Sequence, residues 1–193
     1  VGLLKQLRNK MNDKTFNMIS NGIFTSLLIY CLPVFGNVWL NNTGDTQRFK
    51  AFTKEDSRRL QVLQNQTMRL KTHANKYTSC KDLVAKSGEL SINQLVAYHT
   101  LLQVHKTILS QQPEYIFKNF NIRVQGENQI FPHRQAYTVV ANRNLSVSRS
   151  AFMYRGAHIW NMLPLNLRIC DKTSTFKNQV KKWVRNNIPI KPS

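Results

Sequence analysis

Acidic residues are scarce in this sequence. Asp and Glu total 9 of 193 residues, whereas Lys and Arg total 28, so the formal net charge is +19 and the pI is near 10.3. Such an excess of one sign repels itself in a compact chain unless a polyanion neutralises it. Nucleic acid is the partner class that this composition favours, because phosphate contacts supply most non-specific affinity. An anionic membrane surface and an acidic protein are the second and third alternatives.

The shortage of acids also bears on catalysis, because a two-metal site needs carboxylates close together. Glu55-Asp56 is the only adjacent acidic pair, and its place after Thr53 gives it a structural role at the start of a helix. The sequence has no Asp-Asp turn, no phosphate-cradling glycine loop and no nucleophile elbow. His99 and His105 share a predicted helix, but they are six residues apart, whereas metal pairs favour a spacing of four. We therefore predict no catalytic residue, no metal ligand and no cofactor in this chain.

Cysteines and long apolar runs are few as well. Cys31, Cys80 and Cys170 are widely separated, and no CxxC or Cys/His knuckle spacing occurs, so the sequence supports neither a disulfide framework nor a zinc site. This usage fits a reducing compartment, nuclear or cytoplasmic. The apolar run at residues 23–38 is broken by Pro33 and is too short for a membrane span, so we predict a buried helix there and no membrane partner. The chain starts at a residue other than Met, and we expect it to be a segment of a longer protein.

Periodic apolar residues predict a mainly α-helical chain. The most informative helix covers residues 58–72, where Leu60, Leu63, Thr67 and Leu70 form one stripe at helical spacing. A capping box at residues 53–56 opens this helix. Its two ends carry the cationic side chains of Arg58, Arg59, Arg69 and Lys71, and the ordinary interpretation of such a helix is a solvated basic surface.

The remaining helices follow from the same spacing and from capping residues. Asp13 is placed to cap one helix, Ser79 and Ser91 each begin a capping pattern, and Gly88 is placed to end a helix. Residues 137–140 favour a strand and residues 145–147 favour one more weakly, which leaves room for one small β-hairpin. The predicted helices cover residues 2–9, 13 to about 31, 58–72, 79–87, 91 to about 109 and 151–162, and a last one begins at Ser174 or Thr175.

Basic residues continue through the C-terminal part of the chain. The irregular stretch from residue 113 and the last two helices contribute further candidate nucleic-acid contacts at Arg134, Arg143, Arg149, Arg155, Lys177, Lys181 and Lys182. The chain divides into three predicted segments, which are residues 1–40, 41–112 and 113–193. Tyr77, Tyr137 and Tyr154 are candidates for stacking on exposed bases, with core packing or an ordinary surface position as the alternative.

Three blocks of sequence resemble a known family in their order and spacing. Residues 29–39 read IYCLPVFGNVW, residues 60–70 read LQVLQNQTMRL, and residues 156–168 read GAHIWNMLPLNLR, with a basic helix after them. They are similar to the region downstream of the polymerase core in non-LTR (LINE-like) retrotransposon reverse transcriptases of the jockey and CR1 type. Phe35 stands where that family often has Trp, and no Cys/His knuckle follows the last block.

The resemblance implies a helical thumb-like bundle that begins within residues 1–40, followed by a C-terminal helical region. Such a thumb would grip an RNA/DNA template–primer duplex through its phosphates. The residues that would make these contacts are Arg58, Arg59, Arg69 and Lys71. The fingers and the palm, with its Asp-Asp motif and its Mg²⁺, would be the partners in the same polyprotein, and the segment would be inactive alone. The block at Trp160-Asn161 is expected to be core.

Two other interpretations remain open at this stage. The first is a stand-alone basic helical interaction module that binds an acidic protein. The second is a non-functional remnant, in which the tail of a mobile element is translated as a short open reading frame. An Asp-Asp palm motif upstream and in frame would decide against the remnant.

Overall fold

The computed structural model describes residues 1–36, 54–118, 120–123, 138–141 and 152–190. Within these residues the chain is mainly helical, which confirms the predicted fold class. None of the helices described is both long enough and apolar enough to cross a membrane. The elements are α1 Gly2–Arg8, α2 Asp13–Ser20, a π-helical turn Asn21–Thr25, α3 Ser26–Phe35, α4 Lys54–Thr72, α5 Cys80–Ser87, α6 Ile92–Ser110, α7 Glu114–Phe117, β1 Phe120–Arg123, β2 Thr138–Ala141, α8 Phe152–Met162, α9 Leu165–Arg168 and α10 Thr173–Asn187.

The helix α6 lies at the centre of the fold. It packs against α3 and α4 on the N-terminal side of the chain and against α8 and α10 on the C-terminal side, so helices from all three predicted segments surround it. Side chains around its whole circumference are buried in its first turns, which is typical of a central helix rather than an amphipathic surface helix. The predicted cap is confirmed: Ser91 and Gln94 form a reciprocal capping box, with the Ser91 N–H donating to Gln94 Oε1 (3.2 Å).

The main hydrophobic cluster joins α6 to α8, α9 and α10. Trp160 and Phe176 are fully buried there with their ring centroids 5.8 Å apart, so Trp160 belongs to the core as predicted. The His105 ring stacks on Phe176 at 3.8 Å between centroids, and its Nε2 lies 2.7 Å from the carbonyl oxygen of Cys170. Burial lowers the pKa of His105, which favours a neutral ring that donates to this carbonyl.

Two glycines allow helices to approach α6 closely. A Cβ on Gly36, just after α3, would lie 2.6 Å from Val96 Cγ2, and one on Gly156 in α8 would lie 2.7 Å from Val104 Cγ2. Both contacts are shorter than carbon atoms tolerate, so any larger residue would push its helix away from α6. Glycines in two blocks of the family resemblance therefore have packing roles in this chain.

A buried polar network fixes the start of α6 to α4. Gln61 Oε1 accepts the N–H of Ile92 (2.8 Å), and Gln64 Nε2 donates to the carbonyl of Leu90 (2.7 Å). The two glutamines also bond to each other, since Gln61 Nε2 donates to Gln64 Oε1 (2.9 Å). Amide side chains thus satisfy backbone groups that would otherwise be buried without partners.

The same end of α6 holds the segment that follows α10. Asn93 Nδ2 donates to the carbonyl of Pro189 (2.9 Å), and Gln94 Nε2 donates to the carbonyl of Ile188 (3.0 Å). Both side chains are buried. We call this set of hydrogen bonds around residues 90–94 the α6 clasp, because it joins α4, α6 and the end of α10.

The buried face of α4 differs from the predicted one. Thr67 is buried as expected, but Leu63 is exposed, whereas Gln61 and Gln64 are buried. The prediction was wrong for Leu63 because it ranked side chains by hydrophobicity. This face of α4 packs against polar backbone at the start of α6, which only an amide can satisfy.

Helix ends were predicted well where a local motif marks them and poorly elsewhere. Ser79 Oγ accepts the N–H of Asp82 (3.2 Å), and Gly88 takes the left-handed conformation at φ 65° after α5, as expected. By contrast, α3 continues past Pro33 to Phe35, because its packing on α6 outweighs the local cost of proline.

Two further starts were predicted one or two residues too late. The cap of α2 is Asn12, whose Oδ1 accepts the N–H of Thr15 (2.8 Å), rather than Asp13. The last helix begins at Thr173 after Lys172 and has no side-chain cap, so packing of its apolar face sets its start. The expected cap of α4 lies at Thr53, outside the described residues.

The predicted strand at residues 137–140 is present, with a different partner. Thr138–Ala141 pairs antiparallel with Phe120–Arg123, with Phe120 opposite Ala141. The second expected strand at residues 145–147 lies outside the described residues. Phe120 lies in β1 and is buried, with its ring centroid 6.5 Å from that of Phe152 in α8. The contact between Phe120 and Phe152 joins residues that are far apart in the sequence, so no local sequence pattern predicts it.

We predict that Gln64→Ala lowers the free energy of unfolding by about 1–3 kcal/mol, because it leaves the Leu90 carbonyl buried without its donor. Gln66, which is exposed on the same helix, is the matched control, and its replacement by Ala should change stability by less than about 0.5 kcal/mol. Urea denaturation of the two variants checks this. Equal midpoints for both variants would contradict the structural role of the α6 clasp.

Candidate nucleic-acid interface

The helix α10 separates an apolar face from a cationic one. Phe176, Val180 and Val184 recur at steps of four and are fully buried against α6. On the solvent side, Lys177, Lys181 and Lys182 are exposed, as the sequence predicted. Burial of the apolar face therefore fixes which way the lysines point.

These lysines form no ion pair with an acidic side chain in the part of the chain that the structure describes. The helix contains no Asp or Glu. None of the ion pairs within the described residues involves Lys177, Lys181 or Lys182. Successive residues four apart rise by about 6 Å along a helix, so Lys177 and Lys181 form a cationic row along the axis. Unpaired ammonium groups in a row suit the phosphates of a polyanion.

Arg185 extends this row by one further turn. Its guanidinium donates to the carbonyl of Gly88 just after α5. Arg185 follows Lys177 and Lys181 at the same spacing of four, so the sequence pattern places all three on one face of the helix. We call Lys177, Lys181, Lys182 and Arg185 the α10 basic face.

The start of α4 carries a second exposed cationic pair. The side chains of Arg58 and Arg59 are 67% and 72% exposed. Both bond to Glu55: Arg58 does so through two hydrogen bonds of 2.7 and 2.8 Å, and Arg59 through one of 3.2 Å. The Arg58 hydrogen bonds, with Arg59, lower the pKa of Glu55 to about 2. Exposed ion pairs of this kind are weak, so a phosphate can compete for these arginines.

The other end of α4 has a structural role. The Lys71 side chain is only 6% exposed, and its Nζ donates to Asn21 Oδ1 (2.7 Å) and to Glu89. Arg69 is half-buried and donates to the carbonyl of Thr78 (3.2 Å). The structure therefore separates the four predicted grip residues of α4 into an exposed pair and an internally bonded pair.

Arg155 lies inside the fold rather than on its surface. Its side chain donates to the carbonyl of Gly36 and so links α8 to the end of α3. Burial lowers its pKa to about 10, which still leaves it charged at neutral pH. Of the remaining candidates, Arg134, Arg143 and Arg149 lie outside the described residues.

Arg8 is a further internal cation that sequence reasoning missed. Its Nε donates to the carbonyl of Leu70 (2.8 Å), and its guanidinium contacts Asp13 and His73 and lies 4.8 Å from the Phe16 ring. The hydrogen bond from Arg8, with His73, lowers the pKa of Asp13. No local motif marks this role, because Arg8 is 62 residues from Leu70.

The three tyrosines considered for base stacking fall differently. Tyr77 is largely exposed, and Lys76 Nζ lies 4.8 Å from its ring centroid. Tyr137 lies outside the described residues, and Tyr154 lies in α8. In the described part of the chain, no three His, Cys, Asp or Glu side chains lie close enough to hold a metal ion.

Comparison of the chain with protein-family models, with curated proteins and with solved structures gives no match.

We predict that Lys71→Ala lowers the free energy of unfolding by about 1–3 kcal/mol, since it removes the donor of Glu89 and Asn21. Lys86 is the matched control: it is exposed beside Ser87 and Glu89, and its change to Ala removes the same charge. Thermal unfolding checks the difference. A Lys71→Ala variant as stable as Lys86→Ala would contradict the structural role of Lys71.

Proposed function

We propose that this chain binds nucleic acid as the thumb and C-terminal segment of a non-LTR retrotransposon reverse transcriptase. In that role it grips the template–primer duplex through phosphates, while the palm of the same polyprotein supplies the catalytic carboxylates and Mg²⁺. The observation that carries the proposal is the α10 basic face, where three exposed lysines have no acid paired with them in the described residues.

The charge of the whole chain supports the same partner. A net charge of +19 attracts a polyanion over distances beyond direct contact and speeds association. The arginines at the start of α4 add a second contact surface, because their pairing with Glu55 is exposed and therefore weak. Contacts of this kind recognise phosphate rather than base sequence, so binding should depend strongly on salt and weakly on sequence.

The family assignment rests on the three sequence blocks, and the structure gives their residues a consistent set of roles. Gly36, Gln61, Gln64 and Trp160 all belong to packing or to the α6 clasp. The blocks therefore specify a scaffold, and the exposed lysines that follow the last block provide the binding surface. This division suits a segment that positions a duplex through its phosphates.

We expect the chain to bind a primer–template duplex with a steep dependence on salt. The triple variant Lys177→Ala, Lys181→Ala, Lys182→Ala should bind more weakly, and the slope of log affinity against log salt should fall by about one for each phosphate contact removed. Fluorescence anisotropy of a labelled duplex across a salt series measures both effects.

The matched control is the triple variant Lys5→Ala, Lys10→Ala, Lys14→Ala, which removes the same charge from exposed positions on α1, on α2 and in the turn between them. It should keep most of the wild-type slope. Equal losses in the two triple variants would show that net charge alone determines binding. Failure to bind duplex at low salt would reject the nucleic-acid function, and preference for polyglutamate over duplex would favour a module that binds an acidic protein.

A further inference from the structure

An apolar cleft opens beside the α10 basic face. It has a volume of about 330 Å³ and lies between α3, α6 and α10. Its walls are mainly apolar or aromatic, and one ammonium group stands among them. The residues that matter here are Phe24, Leu28, Ile29, Leu95, Tyr98 and Lys181.

The aromatic walls come from two elements. Tyr98 projects from α6, and its ring makes an edge contact with that of His99 at 5.1 Å between centroids. Phe24 comes from the π-helical turn Asn21–Thr25. Single π-helical turns are rare in proteins, but those that occur are often at functional sites. This turn supplies three residues to the cleft.

The charge around the cleft is positive. Lys181 lines it, and Lys177 and Arg185 continue the row one turn before and one turn after. Glu89 is the acid in the wall, and it is already paired with Lys71. An anionic group at this edge would therefore meet an unpaired ammonium group and a carboxylate that is already neutralised.

We propose that this cleft accepts the base of an unpaired nucleotide, with its phosphate against Lys181. The inference rests on the proposed function and extends it from duplex to single strand. The volume matches that of small-molecule sites, which are mostly apolar with a few polar groups. Every base has a π face that can pack on aromatic side chains, but a base in a duplex is stacked already, so only an unpaired nucleotide fits.

The test compares three ligands on the unmodified full chain at one salt concentration. They are a blunt duplex, the same duplex with a short single-stranded overhang, and the same overhang with abasic sugars in place of its nucleotides. We expect the overhang to bind about tenfold more tightly than the blunt duplex, and the abasic overhang to lose most of that gain. The abasic ligand keeps every phosphate, so it isolates the contribution of the base.

Three variants locate the effect on the protein. Phe24→Ala removes one wall of the cleft and should abolish the gain from the overhang. Tyr115→Ala removes an exposed aromatic residue on α7 and should preserve the gain. Lys181→Ala should weaken binding to every ligand and should reduce the overhang gain as well. If Phe24→Ala fails to fold, Lys181→Ala locates the effect instead, because it changes an exposed side chain of the cleft, and an undiminished overhang gain in that variant would overturn the inference.

Each outcome separates the two proposals. Equal affinity for blunt and overhanging duplex would overturn the cleft inference and leave duplex binding intact. Equal affinity for the normal and the abasic overhang would also overturn it, since phosphates alone would then explain the gain. Absence of binding to any ligand at low salt would overturn both proposals.

Discussion

The α6 clasp is the constraint on which the rest of the structure depends. At the start of α6, the backbone of residues 90–92 is held by Gln61 and Gln64 from α4, and the end of α10 is held by Asn93 and Gln94. All these amides are buried, so each lost hydrogen bond leaves a polar group without solvent. Hydrophobic packing alone would let helices slide, whereas these directional bonds fix the position of α10 relative to α4.

Fixing α10 in this way determines what its lysines can do. Its apolar face is buried in the core, and Arg185 donates to the carbonyl of Gly88 after α5. Lys177 and Lys181 therefore lie on the same exposed face of the helix, beside the cleft. Other cations are used internally: Lys71 pairs with Glu89, and Arg155 binds the end of α3. A highly basic chain thus uses some cations to hold its helices together and leaves others exposed.

Local sequence signals predicted the helical class, the capping box at Ser91 and the helix end at Gly88, because each depends on residues within a few positions. They also identified the exposed lysines of α10, since a row of cations opposite an apolar stripe is a local pattern. They failed where the partner is distant in sequence. Lys71 was expected at the surface, yet its partners lie 18 and 50 residues away. Leu63 was expected to be buried, yet it is exposed. Gln61 and Gln64 are buried instead, because they bond to the backbone at the start of α6.

The most direct test of the central claim is lysine footprinting with and without bound duplex. The exposed amines of the full chain are acetylated, and mass spectrometry measures the modification at each lysine. The account predicts that duplex protects Lys177, Lys181 and Lys182, while the exposed amines of Lys5 and Lys10, near the N-terminus, continue to react. Duplex binding that leaves the α10 lysines fully reactive, or that protects all exposed lysines equally, would contradict it.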